Sequence, residues 1–99
     1  MNDQSQKFDA GKSDPLLIEV DLVLALEAVN AVLDYGKSKY GQRGGWKGVE
    51  LERYDAAARR HRRARDKGED TDDESGLPHI AHEVCNLLFQ LQTALDKEL

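Results

Sequence analysis

Two breaks with high backbone freedom, 41–48 and 68–78, divide this chain into stretches whose apolar residues recur at steps of three and four. That recurrence is the signature of a helix with one apolar face, and no window alternates at the period of a strand. In the first stretch Leu22, Leu26, Val29, Leu33, Gly36 and Tyr40, with Ala25 and Val32 beside them, predict a helix over 21–40 that Asp21 caps. The second, over 50–67, turns Leu51, Tyr54, Ala57, Ala58, His61 and Ala64 inward, a face of mostly small side chains. The third, over 77–95, carries Ile80, Val84, Leu87, Leu88, Leu91 and Leu95 and is expected to be the core helix. The sum is an all-α, antiparallel three-helix unit. A polar arm over 1–14 precedes a single all-α domain over 15–99.

Size and charge narrow the function. A chain of 99 residues buries a modest share of its unfolded surface, so a bundle completed by homo-oligomerisation is expected. With 39% hydrophobic and 33% charged residues and a net charge of −5, the profile is globular, and an extended nucleic acid would be repelled. No apolar run reaches membrane-spanning length, because Glu19, Asp21, Glu27 and Asn30 interrupt 16–33. A lone Cys85 excludes an internal disulfide, and the polar start lacks a signal-peptide core; both point to the cytoplasm.

The chemistry concentrates between Arg53 and Asn86. Seven basic residues lie from Arg53 to Lys67 and five acidic ones from Glu69 to Glu74. Arginines hold phosphates through charge and forked geometry, whereas carboxylates and imidazoles bind metals or move protons, so the pair of features suggests a nucleotide and a divalent cation. Mutual screening of the two runs on a solvated surface is the alternative. His79, His82, Glu83 and Asn86, at offsets of three, four and seven, share one face of the last helix, opposite Ile80, Val84 and Leu91. His61, Arg60 and Asp55 are expected to meet that face from the second helix, so that the three imidazoles converge between two packed helices; the alternative is a stripe facing water. Glu69, Asp72, Asp73 and Glu74 are oxygen donors at no diagnostic spacing. Lys12 is a phosphate contact from the arm, and Trp46 either stacks on a base or ties its loop to the core. Cys85 is a small buried thiol.

The run Lys7-Phe8-Asp9-x-Gly11-Lys12, then Val32-Leu33-x-Tyr35-Gly36-x-x-Lys39-Tyr40-Gly41, Trp46, Arg53-Tyr54, Arg60-His61 and Gly68-Glu69-x-x-Asp72-x-Glu74-Ser75-Gly76-x-x-His79-x-x-His82-x-x-x-Asn86 resembles the phage domain described as dATP/dGTP diphosphohydrolase, N-terminal. That domain is similar in turn to the all-α nucleoside-triphosphate pyrophosphohydrolases of MazG type. The resemblance implies a phage protein of the host cytoplasm, an oligomer, that uses Mg2+ to hydrolyse purine (deoxy)nucleoside triphosphates to monophosphate and pyrophosphate. On that footing His61, His79 and Glu83 are catalytic; Lys12, Lys39, Trp46, Arg60, His82 and Asn86 bind substrate; Glu69, Asp72, His79 and Glu83 hold the metal. The sequence departs from the MazG pattern. Its second acidic motif falls on Glu83-x-x-Asn86, with Asn for Asp, and the first falls near 54–61, where Asp55 is the sole carboxylate. Either the metal has moved to Glu69, Asp72, His79 and Glu83, or the protein binds a nucleotide without cleaving it and counters host nucleotide signalling by sequestration.

Overall fold

The structure, a computed structural model, describes residues 11–97. The expected arm lies outside the described residues as far as residue 10. A one-turn helix α1 (Leu16–Glu19) leads into α2 (Val23–Tyr40), a 3-10 turn (Gly45–Gly48), α3 (Leu51–Asp66) and α4 (His79–Asp96). The all-α bundle is as the apolar period predicts, with the three long helices within two residues of their expected ends. Asp21 does not cap α2: the N-cap is Leu22, without a side-chain bond, and it is Asp14 whose Oδ1 accepts the Leu16 amide at 3.0 Å.

The connections are ordered by specific bonds. α3 ends in a Schellman turn: Gly68, at φ 91°, donates its amide to the Arg65 carbonyl, and Glu69 donates to Ala64. The acidic stretch then folds back on itself, with amides of Asp72 and His79 donating to the carbonyls of Leu77 and Asp70, both at 2.8 Å. Its side chains do not cap α4; Asp72 instead accepts from Ser75 inside the loop. In the 41–48 break, Trp46 stacks on Phe89 of α4 with centroids 4.4 Å apart, and the Tyr54 hydroxyl donates to the Trp46 carbonyl at 2.5 Å. The indole is thus the anchor of its loop.

α3 and α4 run antiparallel and form the most extensive helix pair: Tyr54 meets Phe89 at one end, and His61 meets His79 and His82 at the other. Tyr54 and Ala58 are buried on α3, as expected. On α4 the expectation is reversed. Its buried residues are His79, Ala81, His82, Cys85 and Asn86, while Ile80, Val84, Leu87, Leu88, Leu91 and Leu95 are 38–54% exposed. The small core gathers Val32, Ala81 and Cys85, with Ala28, Val29, Leu77 and Phe89 against it. Leu22, Leu33 and Tyr40 of the expected α2 stripe are likewise exposed. The physical reason lies in size: an alanine-rich α3 face receives a partner whose facing residues are small or hydrogen-bonded, which leaves the leucine face of α4 outside.

Two outcomes follow from this packing. A Cβ at Gly45 would lie 2.7 Å from the Tyr40 Cβ, so Gly45→Ala should cost about 1–3 kcal/mol in chemical denaturation. Cys85 is 1% exposed and burial pushes its thiol up to about 11. A thiol reagent at pH 8 should therefore label the native protein far more slowly than the denatured chain; equal rates would contradict the buried position.

Candidate functional site

α3 presents His61 one turn beyond Ala58, and α4 presents His79, His82 and Asn86 at offsets of three and seven, so the antiparallel pairing sets all three imidazoles at one level. His61 Nδ1 lies 2.8 Å from His79 Nδ1, and the His61 ring stacks on His82 with centroids 4.4 Å apart and planes 8° from parallel. His79 and His82 are each 7% exposed, and His61 is half-buried. The three imidazoles converge as their spacing predicts.

The folded acidic loop brings Asp72 to the same point. Its Oδ2 accepts from the Ser75 amide at 2.9 Å and hydroxyl at 2.7 Å, and Ser75 Oγ lies 2.7 Å from His82 Nε2. Because the serine proton goes to the carboxylate, the Nε2 proton of neutral His82 is the one facing Ser75 Oγ. Burial lowers the pKa of His61, with the neighbouring imidazoles adding to it. Burial also lowers that of His82, against the opposing pull of Asp72. Both rings are accordingly mainly neutral at pH 7, with a lone pair to offer. Desolvation pushes Asp72 up, but the Ser75 bonds and imidazoles outweigh it, and the carboxyl stays below its usual range. Ligand atoms of His61, Asp72 and His79 all lie within 4.8 Å of one another.

This cluster forms the floor of a cleft of about 880 Å³. Lys37, Lys39, Arg43, Arg53 and Arg60 line it, with Asp34 and Glu74 among them, and Tyr35 and Trp46 add aromatic surface. Tyr35 donates to Glu74 at 2.7 Å and sets its ring edge-on to His82. Lys39 sits 3.7 Å from Glu74. Of the expected substrate contacts, Lys39, Trp46, Arg60, His82 and Asn86 line the cleft, Asn86 with its amide donating to the His82 carbonyl. Lys12 is exposed and lies outside the lining. Of the expected metal ligands, Asp72 and His79 belong to the cluster, together with His61. Glu69 stands at its edge, with an oxygen 4.0 Å from His79 Nε2. Glu83 turns the other way into an ion pair with Arg65, and Asp55 is taken by Arg59 at 3.0 Å on that same outer flank.

The arginines thus sort by face. Arg59, Arg62 and Arg65 pair with Asp55, Asp66 and Glu83, and among the described residues no α3 arginine pairs with the acids of 69–74. Screening of the basic run by the acidic run is therefore not the arrangement. Ser75 and Tyr35 received no role from spacing; the one usable signal was Asp72-x-x-Ser75, a turn-forming pair whose side chains bond locally.

The family described as dATP/dGTP diphosphohydrolase, N-terminal, matches residues 2–99. A dATP/dGTP diphosphohydrolase of Salmonella phage PMBT28 is 42% identical over 83 residues, which are 84% of this chain and 27% of that protein. The chain therefore matches about a quarter of that relative's length. No solved structure matches it. The match of one family along nearly all of the chain, with the likeness to the phage protein, shows that this chain belongs to the dATP/dGTP diphosphohydrolase N-terminal family.

Proposed function

We propose that the cleft binds a purine (deoxy)nucleoside triphosphate and that the protein is a phage diphosphohydrolase of such nucleotides. One observation carries the reading: three imidazoles and Asp72 meet in a cleft whose lining carries Lys37, Lys39, Arg43, Arg53 and Arg60 against the carboxylates of Asp34, Asp72 and Glu74. Arg53, Arg60 and Lys39 hold the triphosphate by charge, Arg60 with its forked donors unengaged by any ion pair among the described residues. The base lies along the aromatic wall. Water attacks the α-phosphorus, a neutral imidazole takes its proton, and the bond to the bridging oxygen breaks to release pyrophosphate. The family membership and the diphosphohydrolase name of the phage relative support the reaction class.

Magnesium, which the resemblance implies, fits the residues poorly. It takes oxygen ligands in octahedral geometry, whereas the cluster offers two or three imidazoles and one carboxylate, and Glu83 is held by Arg65. No step is assigned to it. The same shortage of carboxylates supports a second reading, in which the protein sequesters a nucleotide, a host signalling nucleotide among them, without cleaving it.

Incubation with a panel of nucleotides and divalent ions, followed by separation of products, tests both readings. The expected result is monophosphate and pyrophosphate from dATP or dGTP, with a loss of at least tenfold in kcat/KM in Arg60→Ala. Intact nucleotide recovered from a tight complex after heat denaturation would replace the first reading by the second.

We also propose that two copies associate through the outer face of α4. Ile80, Val84, Leu87 and Leu91 follow the four-three-four spacing of a coiled-coil seam, and all four are exposed. The Cα radius of gyration is 16.7 Å, where a compact domain of this length has about 13 Å, and the extents are 50 × 35 × 23 Å, so the unit is elongated rather than compact. Sedimentation should give a dimer or larger assembly that Leu87→Asp with Leu91→Asp dissociates. A wild-type monomer at tens of micromolar would leave the face to a different occupant and overturn the proposal.

A further inference from the structure

We propose that His61, His79 and Asp72 form a binding site for a single first-row transition-metal dication of the zinc, cobalt or iron(II) kind, in preference to magnesium. The proposal deepens the nucleotide reading by naming the ion of the same cleft, and it stands on the donor atoms themselves.

The two Nδ1 atoms face each other at 2.8 Å. Two nitrogens bound to one ion at about 2.1 Å, at right angles or slightly wider, lie roughly 3.0–3.4 Å apart, so the rings need part by only a few tenths of an ångström to admit it. The third donor is in reach, since the ligand atoms of all three residues fall within 4.8 Å. Asp72 uses Oδ2 for both Ser75 bonds, and among the described residues no hydrogen bond goes to Oδ1.

The surroundings have the form of a metal site. Ligating histidines ordinarily turn their other nitrogen toward a carboxylate, and ligating carboxylates are themselves hydrogen-bonded. Here Glu69 stands on the Nε2 side of His79 at 4.0 Å, and Ser75 fixes Asp72. His82 stacks on His61 while its Nε2 is tied to Ser75, so it orients one ligand and, through the hydroxyl, the carboxylate. Imidazole-rich donor sets suit zinc, iron and nickel, and oxygen-only sets suit magnesium. With His61 and His79 holding an ion, His82 would remain outside its ligand set, tied through Nε2 to Ser75.

The test uses the full chain, stripped with chelator and titrated with each metal chloride alone. Cobalt(II) should develop a visible d–d band that saturates at one equivalent per chain. Zinc at a hundredfold excess over its dissociation constant should raise Tm by roughly 10–20 °C, while millimolar magnesium leaves it within a degree or two. His61→Gln and Asp72→Asn should remove the band and the shift, with far-ultraviolet circular dichroism confirming that the stripped variants are folded. If His79→Ala fails to fold, the wild-type titration with the other two variants still decides. Absence of a cobalt band, equal stabilisation by magnesium, or unchanged stoichiometry in folded His61→Gln would overturn the proposal. None of these results depends on a nucleotide, so a failed metal site and a failed nucleotide reading are told apart.

Discussion

The stacked, bonded set of His61, His79 and His82 is the constraint around which the rest of the molecule is arranged. Two buried imidazoles and the half-buried His61 must find partners for their ring nitrogens, because an unpaired polar group out of water costs about 1–3 kcal/mol. The inward side of α4 is therefore built from hydrogen-bonding and small residues rather than leucines, with Asn86 bonding back to its own helix and Ala81 and Cys85 filling the gaps. The loop between α3 and α4 is shaped by the same demand. Among the described residues no fully buried side-chain nitrogen or oxygen is left without a partner.

Helix positions and the meeting of the histidines were legible in the sequence, since both follow from the 3.6-residue period and from two intervening breaks. Which side of α4 faces in was not. The helix has a polar stripe and a leucine stripe on opposite sides, and period alone says only that they are opposite. The choice depends on what α3 offers, and its alanine face with a single histidine favours the polar side. Reading the leucine stripe as core assumed that the chain buries its largest side chains within itself. The resolution of the arginines was also beyond the pattern, because Arg59, Arg62 and Arg65 are separated from Arg60 only by which acid happens to stand a turn away or across on α4.

The two flanks of the α3–α4 pair have opposite electrostatic characters. On one, the carboxylates of Asp55 and Asp66 pair with Arg59 and Arg62 in exposed ion pairs of small individual worth, and the more buried Glu83 takes Arg65, with Arg62 at 3.9 Å. On the other, Lys37, Lys39, Arg43, Arg53 and Arg60 line a cleft that also holds the three imidazoles and the carboxylates of Asp34, Asp72 and Glu74. An anionic ligand of the proposed kind would meet arginines unpaired among the described residues on the second flank, where the first offers arginines already engaged by carboxylates.

The turn that begins at Gly68 bears on how quickly the cleft can act. Its backbone is closed at both ends, by the Schellman bonds to α3 and by the His79 amide on Asp70, and its interior is pinned by Ser75. A segment so tethered has already surrendered its conformational freedom during folding. A ligand of the proposed kind, reaching Asp72, would meet a loop already ordered, so its capture would carry no cost of ordering that segment.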